Sequence, residues 1–71
     1  MVGADIIGMR LRNLRGNKSR EEVSSATGIG ISALTNYECG LRVPRDEAKF
    51  ALASYYGVSV DDLFFSQESH S

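Results

Sequence analysis

Residues 20–40 contain two short helical patterns joined by a glycine turn, and this feature constrains the fold more than any other. Ser19 followed by Glu22 forms a capping box, in which a hydroxyl and a carboxylate satisfy free backbone N–H groups at the start of a helix. The turn lies at residues 28–30, where glycine can take the left-handed conformation that ends a helix. The positions at which the two helices face each other and the rest of a core are Val23, Gly28, Ile29, Leu34 and Tyr37.

Amphipathic stretches with helical spacing also lie on both sides of this segment. A glycine follows each of the first four stretches, at positions 16, 28, 40 and 57, where a helix most easily ends. We therefore predict five helices, at about 5–15, 20–27, 31–39, 45–56 and 60–65. No strand-like alternation competes, so we expect an all-α, compact five-helix domain over residues 1–65, followed by a flexible polar tail at 66–71. The predicted core consists of Ile7, Leu11, Leu14, Val23, Ala26, Ile29, Leu34, Tyr37, Ala48, Leu52, Tyr55, Val58, Val60 and Leu63.

The composition narrows the class of protein. A chain of 71 residues is one domain, near the lower size limit for a core without disulfides or metal. One cysteine, Cys39, cannot form an internal bridge, and with one histidine, His70, no spacing resembles a zinc site. The acidic residues mostly occupy helix starts, so we expect neither an enzyme nor a cofactor. No apolar run approaches the roughly 18–20 residues that span a bilayer, and no secretory signal is recognisable, so we expect a soluble, cytoplasmic protein.

The charge is distributed unevenly along the chain. A net charge of −1 argues by itself against nucleic-acid binding, which is driven by cationic side chains. The distribution matters more, because one end of the chain is basic and the other acidic. Residues 46–71 contain five acidic residues against Lys49 alone. Residues 1–20 contain one acidic residue, Asp5, against the basic residues Arg10, Arg12, Arg15, Lys18 and Arg20.

Two short helices joined by a tight turn have the layout of a helix-turn-helix, a motif whose second helix enters the major groove of DNA. The side of that helix away from the core carries Ile31, Ser32, Thr35 and Asn36. Asparagine suits paired hydrogen bonds with adenine, serine can donate or accept, and isoleucine can lie against a thymine methyl group. The alternative interpretation is that these are ordinary exposed residues of a helix.

The motif and the segments around it resemble the lambda-repressor-like, or xenobiotic-response-element, family of bacterial and phage regulators. The resemblance extends over residues 7–15, 20–40, 44–47 and 53–64. A match that covers so much of the chain is more specific than a lone short motif. The resemblance implies a DNA-binding domain in which the third helix reads the bases.

The resemblance also implies roles for individual side chains. Base edges would be read by Ile31, Ser32, Thr35 and Asn36, and phosphates would be bound by Lys18, Arg20, Arg42 and Arg45. An ion pair between Arg15 and Glu38 would orient the first and third helices. Two positions depart from the family pattern, since Arg20 replaces the usual glutamine and Gly30 replaces the usual serine or threonine cap of the third helix.

The C-terminal third contains more aromatic side chains than two helices of so small a domain can bury: Phe50, Tyr56, Phe64 and Phe65. Members of the family commonly dimerise through this region, so the resemblance implies a homodimer that binds a near-palindromic operator. The expected function is that of a sequence-specific transcriptional regulator of double-stranded DNA, a repressor rather than an activator, with a regulatory protein as a further partner. The alternative, favoured by the low net charge, is a protein-interaction module such as an antitoxin or adaptor with the same helical fold.

Overall fold

The computed structural model describes residues 1–67 and contains five helices in that part of the chain. They are α1 (Ala4–Arg15), α2 (Arg20–Thr27), α3 (Ile31–Glu38), α4 (Asp46–Tyr56) and α5 (Asp61–Phe65). The all-α prediction is confirmed, and each helix begins and ends within one residue of the predicted position. The last helix, α5, is a short turn with π-helical hydrogen bonding. Within these residues no helix is long and apolar enough to cross a membrane.

Short polar side chains and glycines define the helix ends. The Ser19 hydroxyl accepts a hydrogen bond from the Glu22 N–H at 3.0 Å, and the Ser59 hydroxyl accepts one from the Asp62 N–H at the same distance. The first of these is the cap predicted from the capping box of Ser19 and Glu22. At the other end of α2, Gly28 has the left-handed φ of 77°. The caps place the ends of α2 and the start of α5 where the sequence predicts them.

The core lies where the five helices meet. Its fully buried side chains include Ile7, Leu11, Val23, Leu34, Leu52 and Leu63, all of which the sequence predicts, together with Phe64. The placement of Ala26 in the core is wrong, because this residue lies on the exposed side of α2. Phe64 was assigned to a dimer interface and this is also wrong, because its side chain is completely buried within the subunit.

Helices α1 and α3 approach each other unusually closely at Gly8. A β-carbon at this position would lie 2.6 Å from the Glu38 carbonyl oxygen and 2.8 Å from that of Tyr37. Only glycine allows two backbones to come so near without displacement. The absence of a side chain at Gly8 therefore sets the distance between α1 and the helix that carries the candidate site.

The C-terminal helix is fastened to the start of the chain. The Val2 N–H donates to the Phe64 carbonyl at 3.0 Å. The Arg10 guanidinium donates to the carbonyls of Asp62, Leu63 and Ser66, at 3.0, 3.4 and 2.7 Å. Arg10 thus satisfies carbonyl groups around α5. The polar tail predicted at 66–71 begins with a residue that takes part in this contact, and its last four positions, 68–71, lie outside the described residues.

Candidate nucleic-acid interface

The outer face of α3 carries polar side chains one helical turn apart. Leu34, Tyr37 and Glu38 are buried and turn the opposite face of the helix toward the core. Ser32 is exposed and Asn36 is half-buried, and their spacing of four residues places them on one side of the helix. This side is therefore open to a partner, and its hydroxyl and amide groups can both donate and accept hydrogen bonds.

Two further positions assigned to base reading flank this side of the helix. The Ile31 side chain is 45% exposed at the first residue of α3. Thr35 is half-buried, and its hydroxyl donates to the Ile31 carbonyl at 2.9 Å. Ile31 therefore offers an apolar contact, whereas the hydroxyl proton of Thr35 is used within its own helix.

The turn between α2 and α3 presents the first residues of α3 to the surface. Gly30 precedes α3 in an extended conformation, without a side-chain cap. The Thr27 hydroxyl donates to the Val23 carbonyl at 2.7 Å and accepts from the Ile29 N–H at 3.3 Å. Glycine is an acceptable helix cap, with a few tenths of a kcal/mol less stabilisation than serine. The backbone N–H groups at the start of α3 are consequently not covered by a capping side chain.

Three arginines converge on the C-terminal end of α3. Arg15 donates from Nε to Glu38 Oε2 at 2.8 Å and from Nη2 to Oε1 at 2.9 Å, so the expected pair is present and has two hydrogen bonds. Arg20 donates from Nε and Nη2 to the same Oε1, at 3.2 and 3.0 Å. Arg12 donates to the Glu38 backbone carbonyl at 3.2 Å. Sequence reasoning missed the roles of Arg12 and Arg20, although the spacing of Arg12 and Arg15 on one face of α1 is a usable signal.

The Glu38 carboxylate is only 3% exposed. Burial alone would raise the pKa of this carboxyl, but the hydrogen bonds and positive charges of Arg15 and Arg20 outweigh that effect and hold the pKa below its usual range. The same hydrogen bond to Glu38 raises the pKa of the Arg15 guanidinium. Glu38 is therefore ionised at neutral pH and fixes the position of the end of α3 through charged hydrogen bonds.

The cations assigned to phosphate differ in their surroundings. Arg42 and Arg45 are exposed and line an open groove together with Glu47 and with Gly28 and Ile29 of the turn. Lys18 is exposed and its ammonium lies 5.5 Å from the centre of the Tyr55 ring. Arg42 and Arg45 therefore belong to the same groove as the turn that leads into α3.

Arg20, also assigned to phosphate, has a different arrangement. It is the first residue of α2 and its side chain is 32% exposed, but its guanidinium is turned to Glu38. The family pattern has glutamine at this position, so the resemblance gave no indication of a contact between Arg20 and Glu38.

The aromatic side chains assigned to a dimer contact are divided between core and surface. Phe50 is 66% exposed and Phe65 is 42% exposed, with the Lys49 ammonium 5.2 Å from the centre of the Phe65 ring. Tyr56 is half-buried, with its ring 5.1 Å from that of Tyr55, and burial, followed by the negative charge of Glu38, raises the pKa of its phenol to about 12. Of the four aromatic side chains assigned to a dimer contact, Phe50 and Phe65 are thus the two that are exposed.

The side chains considered for catalysis or metal binding do not come together in the described part of the chain. Among residues 1–67, no group of three or more histidine, cysteine, aspartate or glutamate side chains could hold a metal ion. Cys39 is exposed just after α3, and His70 lies outside the described residues.

Comparison with known proteins agrees with this arrangement of helices. A model of the helix-turn-helix domain family matches residues 6–63, from α1 into α5. The cryptic phage CTXphi transcriptional repressor RstR of Vibrio cholerae is 32% identical over 63 residues, which are 86% of this chain and 57% of that repressor. The chain thus spans little more than half the length of this relative, and no solved structure matches. The resemblance to helix-turn-helix regulators is confirmed, and the chain belongs to the family of helix-turn-helix domains.

Proposed function

We propose that this protein is a sequence-specific transcriptional regulator that binds double-stranded DNA by inserting α3 into the major groove. The observation that carries the proposal is the open side of α3, where Ser32 and Asn36 lie one turn apart beside the exposed Ile31. The family match and the similarity to a phage repressor support the same role.

Base reading would come from the outer side of α3. The Asn36 amide offers one donor and one acceptor, which match the N7 and N6 groups of adenine. Ser32, one turn earlier, would donate to or accept from a base edge, and Ile31 would lie against a thymine methyl group. Thr35 would contribute mainly its methyl group, because its hydroxyl donates to the Ile31 carbonyl.

Phosphate binding would come from cations on the surface. Arg42 and Arg45 border the groove next to the turn, and Lys18 lies just before α2. The N-terminus of α2 adds backbone N–H groups and the positive end of the helix dipole. Contacts of this kind position a protein on the duplex without reading its sequence.

A homodimer on a near-palindromic operator is the proposed assembly. Phe50 and Phe65 in the C-terminal third of the chain are exposed, and a two-fold contact through these side chains would cover their apolar surface. The protein would act in the cytoplasm and would repress transcription if its operator overlaps a promoter. A regulatory protein partner would control this repression. The proposed role involves no chemical step, so no residue is assigned to catalysis.

Selection of duplexes from random DNA tests this function. We expect enrichment of sites with two inverted half-sites whose centres lie about 34 Å apart, one helical turn. A pool without enriched sequences would contradict the proposed function. In that case the alternative, a protein-interaction module such as an antitoxin or adaptor, would explain the same fold.

A further inference from the structure

The helix proposed to read DNA is joined to α2 by a turn that contains two glycines. Gly28 has a φ of 77°, and Gly30 begins α3 without a side-chain cap. Glycine leaves the backbone more conformational freedom than any other residue. A contact at the open end of this helical hairpin would therefore add to the constraint that the turn and the packing of Val23 and Leu34 place on the angle between α2 and α3.

Arg20 and Glu38 make that contact, because one is the first residue of α2 and the other the last residue of α3. Two N–H groups of Arg20 donate to Oε1 of Glu38, at 3.2 and 3.0 Å. The Glu38 side chain is 3% exposed and that of Arg20 is 32% exposed, so the pair is screened by solvent less than a surface pair. The two helices are thus linked at both ends of the hairpin.

We propose that Arg20 is a positioning residue for base recognition, which holds Glu38 and thereby sets the direction of α3 in the major groove, instead of binding phosphate. This inference rests on the proposed function. Arg15 donates to both oxygens of the Glu38 carboxylate, at 2.8 and 2.9 Å. Loss of the Arg20 side chain therefore leaves the buried carboxylate paired and α3 attached to α1, but removes the charged link between α3 and α2, the helix that crosses the DNA backbone.

The two roles of Arg20 lead to different binding behaviour. A phosphate contact strengthens binding to every sequence and contributes to the salt dependence of binding. A residue that directs α3 strengthens binding only where base contacts are made, because base contacts are absent from non-specific complexes. A purely structural role lowers the fraction of folded protein and affects all sequences equally.

The experiment compares Arg20→Gln and Arg20→Lys with Arg42→Gln, a matched loss of an exposed arginine. The probes are the duplex that the unaltered chain selects from random DNA and a scrambled duplex of the same length and base composition. For Arg20→Gln we expect about a tenfold weaker affinity for the selected duplex, comparable to one lost base contact, and less than about a twofold change for the scrambled duplex. Arg20→Gln should leave the slope of log affinity against log salt unchanged. Arg42→Gln should reduce the magnitude of this slope by about 0.9 per subunit and weaken binding to both duplexes equally.

Arg20→Lys separates charge from geometry. Lysine keeps the positive charge but has a single ammonium in place of two N–H donors of fixed geometry. We expect it to lose preference for the selected duplex as Arg20→Gln does, whereas a phosphate contact would be largely rescued. The inference is overturned if Arg20→Gln behaves like Arg42→Gln, if it leaves both affinities unchanged, or if circular dichroism shows that neither Arg20 variant folds. If the unaltered chain selects no sequence from random DNA, both the proposed function and this inference are wrong. If it selects a sequence but Arg20→Gln weakens binding to the selected and scrambled duplexes equally, only the inference is wrong.

Discussion

At the scale of single residues, Glu38 is the side chain on which the arrangement around α3 depends most. An acidic residue at the last position of a helix lies at the negative end of the helix dipole, where it is unfavourable. Arginines offset this: Arg12 binds the Glu38 carbonyl, while Arg15 and Arg20 bind its carboxylate. Because two arginines share this one buried carboxylate, removal of its charge would leave both without their anion, which is costly.

Replacement of Glu38 by glutamine tests this arrangement. The variant keeps the size of the side chain but leaves Arg15 and Arg20 partly buried without their anion. Removal of one partner of a buried pair costs about 3–5 kcal/mol, and we expect a value near the lower limit because Arg20 is 32% exposed. Urea unfolding at neutral pH measures the loss. Glu47→Gln, an exposed glutamate in the first turn of α4, is the control and should cost less than about 1 kcal/mol.

The lowered pKa of Glu38 predicts part of the acid sensitivity of the fold. Because the folded-state pKa lies below the unfolded-state pKa, the ion pair stabilises the protein fully above the unfolded-state value. This stabilisation is lost as the pH falls through the lower, folded-state value. We expect the free energy of unfolding of the unaltered chain to fall more steeply in this acidic range than that of Glu38→Gln. Parallel pH profiles from the two proteins would contradict the assignment.

At the scale of helices, the predictable part of the fold is the part that depends on neighbours in sequence. Helix ends follow from local signals, such as the Ser19 cap and the left-handed Gly28, so they could be predicted to within one residue. The adjacent Phe64 and Phe65 could not be separated in this way, because α5 is too short for its apolar spacing to show which ring faces the core. In the structure Phe64 is buried and Phe65 is exposed.

The contacts of Arg10 and Arg20 were also beyond sequence reasoning, in contrast to the expected pair of Arg15 and Glu38. Arg10 binds carbonyl groups 52 to 56 positions away, and Arg20 binds a carboxylate 18 positions away. A basic segment has the same sequence pattern whether its side chains face solvent or bind internal carbonyl groups. The expected roles of Ile31, Ser32, Thr35 and Asn36 came instead from the resemblance and from helical geometry, and they remain predictions.

The close crossing of α1 and α3 gives a prediction for Gly8→Ala. Alanine would favour an isolated helix by about 1 kcal/mol over glycine, but here its β-carbon would meet two carbonyl oxygens of α3 within 2.8 Å. The backbones must separate, so we expect a net destabilisation of about 1–3 kcal/mol. Thermal unfolding measures it, with Met9→Ala on the exposed side of α1 as the control. A Gly8→Ala protein as stable as the unaltered chain would show that α1 and α3 are less closely packed.

At the scale of the whole molecule, several arginines of this chain, whose net charge is −1, make internal contacts, so DNA binding would depend on a few other exposed cations. Arg10, Arg12 and Arg15 bind carbonyls or Glu38, whereas Arg42 and Arg45 are exposed. We expect Arg42→Gln to lower the salt slope of a dimer by about 1.8, from two subunits. Arg10→Gln should lower thermal stability and leave that slope unchanged. Equal slopes for all three proteins would remove Arg42 from the phosphate contacts.

The exposed aromatic side chains Phe50 and Phe65 lead to a prediction about the dimer. Phe50→Ser removes the large apolar side chain that is 66% exposed on α4, and we expect it to shift the protein from dimer to monomer in sedimentation. Met9→Ser, a similar loss of exposed apolar surface on α1, should leave the dimer intact. An unaltered chain that sediments as a monomer at high concentration, with one copy bound per duplex, would refute the dimer.

The most direct test of the central claim, that α3 reads DNA bases, is the affinity of Asn36→Ala for the duplex selected by the unaltered chain. We expect a loss of about 1–3 kcal/mol, a relaxed preference at one base position in each half-site, and a nearly unchanged salt slope. The fold should persist, because alanine has the higher helix propensity, and Asn13→Ala on the exposed face of α1 should bind like the unaltered chain. Unchanged affinity and preference in Asn36→Ala would contradict base reading by this residue, and a collapse of thermal stability would show that Asn36 supports the core instead.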